Sequence, residues 1–224
     1  MRDPLPQYKS SGWVDSSGKP VSYSLVYDKV FIEVIMENPL RMQSVTGLVK
    51  VAIFKSNKFL PDTIVKHSKH IVTLPPLSTE RIVVPFKPPF EAEYYYKVYI
   101  ENEEVYVQPK RSPPRLRAFR RESRIIIDGV SGFSQNPGFT ITGKLIDVIT
   151  GNGIEKAKVE IYDVRTFRGD KMLACGITDK NGFFSVEGLR PLRIGNQVSV
   201  YVKFKGDDVY KPSVSDCFKL TMPY

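Results

Sequence analysis

Cysteine, histidine and tryptophan are scarce in this 224-residue chain, with two, two and one respectively. Two cysteines, Cys175 and Cys217, are too few for the disulfide framework of a small secreted domain. They either pair within the second half, which suggests an oxidising compartment or a thermophilic host, or stand as two small buried residues. The histidines, His67 and His70, have Asp62 as the nearest acid in sequence and no cysteine nearby. Zinc needs three or four ligands, so this pair reads as exposed loop histidines. No apolar run reaches the roughly 18 residues of a membrane-spanning helix. Gly-x-Ser-x-Gly, the phosphate-binding Gly-x-x-x-x-Gly-Lys-Ser/Thr and the dinucleotide Gly-x-Gly-x-x-Gly are all missing. Catalytic residues, metal ligands and cofactors are therefore expected to be none, and the chain reads as a non-enzyme.

What is present is ordinary in amount and uneven in placement. Hydrophobic residues make up 42% and charged residues 25%, which excludes a disordered, collagenous or coiled-coil chain. The net charge is +9, yet residues 109–124 alone hold seven basic residues against one acid. Two thirds of the excess thus sits in sixteen residues, unlike a surface built to coat nucleic acid throughout.

Short runs of Val, Ile, Tyr and Phe recur along both halves, bounded by Pro, Asn, Ser or Gly. In the first half these are Val30–Met36, Leu48–Phe54, Ile71–Leu74, Arg81–Phe86, Tyr94–Ile100 and Val105–Val107. In the second they are Phe139–Val148, Lys158–Val164, Met172–Ile177, Phe183–Val186, Val198–Phe204 and Phe218–Met222. Turn signals separate the latter, including Thr150-Gly151-Asn152-Gly153 and Lys180-Asn181-Gly182. No segment holds a 3.6-residue period over ten residues, so an all-β fold of two tandem antiparallel sandwiches is expected. The predicted division is a sandwich over 1–108, a basic Pro/Arg-rich linker over 109–124 and a second sandwich over 125–224. Asp179-Lys180-Asn181-Gly182 is read as a hairpin turn rather than the start of a calcium loop, which needs a longer ladder of oxygens.

Three elements of the second half then fall in order. Gly143-x-x-x-Asp147-x-x-Thr150-Gly151 comes first, Ala157-Lys158-Val159-Glu160-Ile161 next, and Thr178-Asp179-x-x-Gly182-Phe183 last. Over about 50 residues this half resembles the carboxypeptidase regulatory-like, or transthyretin-like, β-sandwich family. The resemblance implies an accessory binding domain and favours an extracellular or cell-surface setting. The N-terminus lacks the apolar core of a signal peptide, which keeps a cytoplasmic location open. Asp147 and Thr150 are expected to cap their turn through backbone amides. Leu145 stands where related sandwiches with a Lys–Asn isopeptide bond place the lysine, so no such bond is expected. The tail from Lys203 to Ser213 is similar to the end of bacterial Ig-like repeats. The first half, over 20–108, more loosely resembles the Ig-like barrels of cell-adhesion repeats and transglutaminase tails, through Glu37-Asn38-Pro39-Leu40.

Two candidate surfaces follow from the residues. Lys110, Arg111, Arg115, Arg117, Arg120, Arg121 and Arg124 can neutralise phosphates or carboxylates, and Phe119 can stack on a base or insert into a partner. The plainer reading is a solvated linker whose arginines pair with acids such as Glu101, Glu103 and Glu104. Tyr94, Tyr95 and Tyr96 alternate across a strand, giving one core face and one candidate aromatic interface. The sequence thus points to a structural or protein-interaction module, such as a surface or adhesin-like protein or an assembly subunit. Its expected partner is a protein, a larger assembly or a second copy joined by strand edges. Nucleic-acid or anionic-surface binding through 110–124 is the alternative.

Overall fold

Val30-Phe31-Ile32-Glu33-Val34-Ile35-Met36-Glu37 buries every second side chain. That two-residue period is the rule of the whole molecule, since alternate side chains of a strand face opposite sides of its sheet. The computed structural model describes residues 4–110, 114–132, 138–165, 169–189 and 197–221. Within them there are strands and no helix, so no helix is long and apolar enough to cross a membrane. The chain forms two compact units that part between Phe119 and Arg120.

The first unit holds nine strands: β1 Gln7–Val14, β2 Tyr23–Leu25, β3 Val30–Glu37, β4 Val45–Lys55, β5 Thr63–Leu74, β6 Thr79–Phe86, β7 Ala92–Ile100, β8 Glu103–Val107 and β9 Leu116–Phe119. One sheet runs β1-β3-β6, and the other runs β2-β9-β7-β4-β5 with β8 also on β7. Side chains from both sheets meet in a single core that includes Trp13, Ile32, Val84, Ile53, Tyr94 and Tyr96. This is a β-sandwich. Its pairs are antiparallel except β2 with β9, which is parallel and departs from the all-antiparallel expectation.

The Glu-Asn-Pro-Leu tetrapeptide has a clear local job. Asn38 is buried, its amide donates to the carbonyls of Gln43, Leu74 and Pro75, and its Oδ1 accepts from the Leu40 amide. One side chain thereby ties together the ends of β3, β4 and β5.

The second unit holds β10 Ser123–Gly132, β11 Phe139–Asp147, β12 Lys158–Asp163, β13 Lys171–Ile177, β14 Phe183–Leu189, β15 Gln197–Phe204, β16 Ser213–Val214 and β17 Phe218–Thr221. One sheet is β10-β11-β14; the other is β13-β12-β15-β16, with β17 also on β15. Ile141, Leu145, Ile161, Phe184, Val200 and Val202 fill the core between them.

The three sequence elements of this unit act as fasteners. Asp147 Oδ1 accepts from the amides of Ile149 (2.8 Å) and Thr150 (3.1 Å), and Thr150 Oγ1 accepts from Asn152 (3.3 Å). Thr178 Oγ1 is buried, accepts from the Ala157 amide and donates to the Ile154 carbonyl. Asp179 Oδ1 accepts from the amides of Asn181 and Phe183. Gly182 has φ +78° and lies against Leu145 and Gly153 backbone, so any side chain there would collide.

Several expectations need correction. The stretch 109–124 is not one linker: Leu116–Phe119 is β9, with Leu116 and Ala118 fully buried, and Ser123 already opens β10. The unit boundary falls inside that stretch, not at its N-terminal end. The histidines lie in β5, not in a loop, because β5 extends eight residues upstream of Ile71. Neither cysteine is buried; both are free and exposed. Cys175 is on β13 and Cys217 lies beyond β15, with β12 between, so three strand spacings of about 4.8 Å, roughly 14 Å, keep them from pairing.

Candidate functional site

The basic segment is divided between the two units. Arg115 is largely buried: its Nη1 donates to Glu93 (3.2 Å) and lies 3.5 Å from Ser56 Oγ, and its guanidinium sits 4.2 Å from the centre of the Tyr95 ring. Arg117 is exposed on β9, 4.0 Å from Glu93. Phe119 is 43% exposed at the end of the same strand. These three belong to the first unit. Arg120, Arg121 and Arg124 belong to the second. Arg120 donates to the Asp207 carbonyl, and Arg121 Nε donates to Asp147 Oδ2 at 2.5 Å with both side chains nearly buried. Arg124 points outward from β10, and Lys110 is exposed. Arg111 lies outside the described residues. Arg115 and Arg117 meet Glu93, and Arg121 meets Asp147, where Glu101 and Glu104 were among the expected acids. Glu101 instead accepts from the Leu48 amide, and Glu104 pairs with Lys97.

Asp147 shows what holds such a pair. Burial pushes its carboxyl up, but the hydrogen bonds from Arg121 and from the amides of Thr150 and Ile149 outweigh that and hold it below the usual carboxylate range. Arg121 is therefore a structural cation.

The tyrosine triplet also changes meaning. Tyr94 and Tyr96 are in the core, with Tyr96 packed edge-on to Trp13 at 5.5 Å. Tyr95 faces outward yet is only 7% exposed. It stacks on Phe54 at 5.1 Å, carries Arg115 on its ring and donates to Asp62 at 2.8 Å. Burial and the hydrogen bond to Asp62 push its phenol up to about 12. No exposed aromatic interface remains at 94–96. The patch is closed by its own neighbours.

Cations that stand opposite one another lie elsewhere, on β4 and β5. Lys50 stands directly opposite Lys69, and Ala52 opposite His67. On the other side Lys50 faces Tyr99 on β7. Because Ala52 is small, these side chains border a depression of about 330 Å3, with Ser68 and Asn102 completing its wall and no carboxylate in it. Lys50 donates to Asn102 at 2.6 Å. Lys69 and His67 have no hydrogen-bond or ion-pair partner among the described residues. Like charges placed directly opposite in a sheet cost stability, by about 0.2–1 kcal/mol.

β5 is also an edge. Over its twelve residues it pairs, among the described residues, only with β4. Its outward side chains run Ile64, His67, Lys69, Ile71 and Thr73, with Ile64 56% and Ile71 80% exposed. Its other face changes from core, at Val72 and Leu74, to polar, at Lys66, Ser68 and His70. Lys66 reaches the Pro85 carbonyl on β6, and Ser68 hydrogen-bonds His70 at 2.7 Å. β6, the edge of the facing sheet, carries Pro85, which has no amide hydrogen to offer. β5 has no proline and no acid. Sequence reading missed this surface because Lys66-His67-Ser68-Lys69-His70 has no apolar alternation. The signal available was the uninterrupted β-rich context on both sides of it.

The second unit treats its outer face differently. Glu160 lies between Lys158 and Lys205, and Tyr162 donates to it at 2.8 Å. The bonds from Lys205 and Tyr162 hold its carboxyl low. Tyr162 stacks on Tyr201, whose hydroxyl donates to Asp170. Among the described residues no three His, Cys, Asp or Glu side chains gather as a metal site.

No family model matches the sequence, and no curated protein matches it. Among solved structures the chain is similar to red sea bream transglutaminase, with a TM-score of 0.39 and 11% identity. The match covers 98% of this chain and 31% of that one, so this chain spans about a third of that protein's length. A likeness at this level carries no inference about activity.

Proposed function

We propose that the chain is a non-enzymatic protein-interaction module, an Ig-like sandwich followed by a carboxypeptidase regulatory-like sandwich, and that it takes its partner along β5. The observation that carries this reading is the edge itself. A strand of twelve residues, paired on one side and free of proline, presents a row of backbone donors and acceptors. Its exposed isoleucines, Ile64 and Ile71, add apolar area on either side of His67 and Lys69. The arginines favour this reading over a nucleic-acid binder to the extent that Arg115 and Arg121 are each engaged by an acid of their own unit.

The test is selection of extended peptides from a random displayed library against the full chain, followed by amide hydrogen exchange with the selected peptides bound. The expected result is slowed exchange at alternate amides of β5. Selected peptides that leave every β5 amide unprotected would sink the reading.

A further inference from the structure

We infer that the segment added to β5 is an extended acidic peptide, with carboxylates at its centre and apolar side chains on both flanks. This rests on the edge reading above and names the chemistry of its partner. The argument starts from what β5 presents outward in order: an isoleucine, His67, Lys69, a second isoleucine. A strand hydrogen-bonded to β5 would lie about 4.8 Å away, with its side chains directly opposite these at about 5 Å between β-carbons. Residues facing His67 and Lys69 would then hang beside the depression, and residues facing Ile64 and Ile71 would cover exposed apolar surface.

The charges select the sign. Lys50 and Lys69 face each other with no acid in the wall around them. The acids of the neighbouring rows are committed: Glu101 to the Leu48 amide, Glu104 to Lys97, Asp62 to Tyr95 and Asn57. An incoming carboxylate would relieve the Lys50–Lys69 opposition, which the free chain holds at a cost. The same charges count against a second copy as the occupant, since an antiparallel pair of β5 strands centred on Ser68 would set Lys and His against Lys and His, with no acid on either strand.

The experiment uses the full chain and three fluorescein-labelled peptides of about ten residues. The first has two successive outward Glu flanked by outward Val. The second has Gln in place of Glu. The third keeps Glu but has Pro at two of the intervening positions, which removes strand pairing and keeps the charge. Anisotropy is read at about 50 and 200 mM salt, a range over which screening weakens exposed ion pairs. The expected result is at least tenfold tighter binding of the Glu peptide than of either control, weakened by salt. Lys69→Glu should lower that affinity at least tenfold while the far-ultraviolet dichroism is unchanged, and exchange should show β5 protected.

Equal binding of the Glu and Gln peptides overturns the acidic preference and leaves the edge reading standing. Equal binding of the proline peptide overturns both, because charge alone then accounts for the contact. Tighter binding of an oligonucleotide of the same charge, or concentration-dependent dimers that protect the β5 amides from exchange, assigns the surface to another occupant and overturns the proposal. No binding of any peptide at 1 mM overturns both as well.

Discussion

The two units share an architecture and differ in what they do with charge. In the second, the nearly buried carboxylates find cations within the same unit: Asp147 has Arg121, and Glu160 has Lys158 and Lys205. In the first, the buried polar groups are just as well satisfied, as Asn38 and the Trp13–Gln108 hydrogen bond show. Its outer face nevertheless leaves Lys69 and His67 unmatched beside Lys50. The cores differ as well. The first packs Trp13, Phe86, Tyr94 and Tyr96 together, while the second is largely aliphatic. The contrast is between buried acids that hold cations of their own unit and an edge where two lysines stand opposed.

Substitutions can break that contrast, and the largest effect belongs to the aromatic core. Tyr96→Ala removes a fully buried ring and its hydrogen bond to Ser11, and should cost the first unit about 4 kcal/mol. Denaturant unfolding followed by the emission of Trp13 checks it, since this is the chain's single tryptophan and lies in that core. A loss under about 1 kcal/mol would mean that the core is not the ring cluster described.

Next comes the buried pair of the second unit. Arg121→Ala strands the Asp147 carboxylate and should cost about 3 kcal/mol, read by hydrogen exchange in β11 and β14. The sign with pH follows from the lowered carboxyl. The folded value lies below the unfolded one, so the stabilisation is complete above the ordinary carboxylate range and is lost as pH falls through the folded value. Asp147→Asn should flatten that acid limb of the stability profile; an unchanged slope would remove Asp147 from the account.

Asn38→Ala should cost the first unit about 2 kcal/mol by leaving buried carbonyls and the Leu40 amide without a partner, measured again through Trp13. The smallest effect has the opposite sign. Lys69→Glu places an acid opposite Lys50 and should stabilise the free first unit by a few tenths of a kcal/mol at low salt. A destabilised variant would show that the Lys50–Lys69 opposition is not felt.

Much of this fold was legible in the sequence wherever one face of a strand is buried. Val30–Glu37 and Phe139–Asp147 announce themselves because alternate residues are apolar. Gln7–Val14 does not, since its first half is half-solvated and polar. Leu116-Arg117-Ala118-Phe119 misled for another reason. Its arginine, among those that flank it, looks like part of a linker, yet alternation puts Leu116 and Ala118 inside while Arg117 stays in water. The turn-capping roles of Asp147 and Thr150 were readable because they depend on local spacing. The burial of Tyr95 was not, because it depends on Arg115 and Asp62, twenty and thirty-three residues away. The β5 surface stayed hidden for a related reason: a sequence shows which residues are charged, not which of them lack a neighbour.

The position of β9 has a consequence for how the molecule is made. This last strand of the first unit is not added at a rim; it lies between β2 and β7, and Leu116 and Ala118 enter the core. A nascent chain that has emerged only as far as β8 therefore has a slot open in its larger sheet. At about 5–20 residues per second, the ribosome delivers the piece that fills it within a few seconds. Until then, β2 lacks β9, its sheet neighbour among the described residues, and a translational pause before Leu116 would hold the half-built sandwich open to whatever extended segment reaches it first.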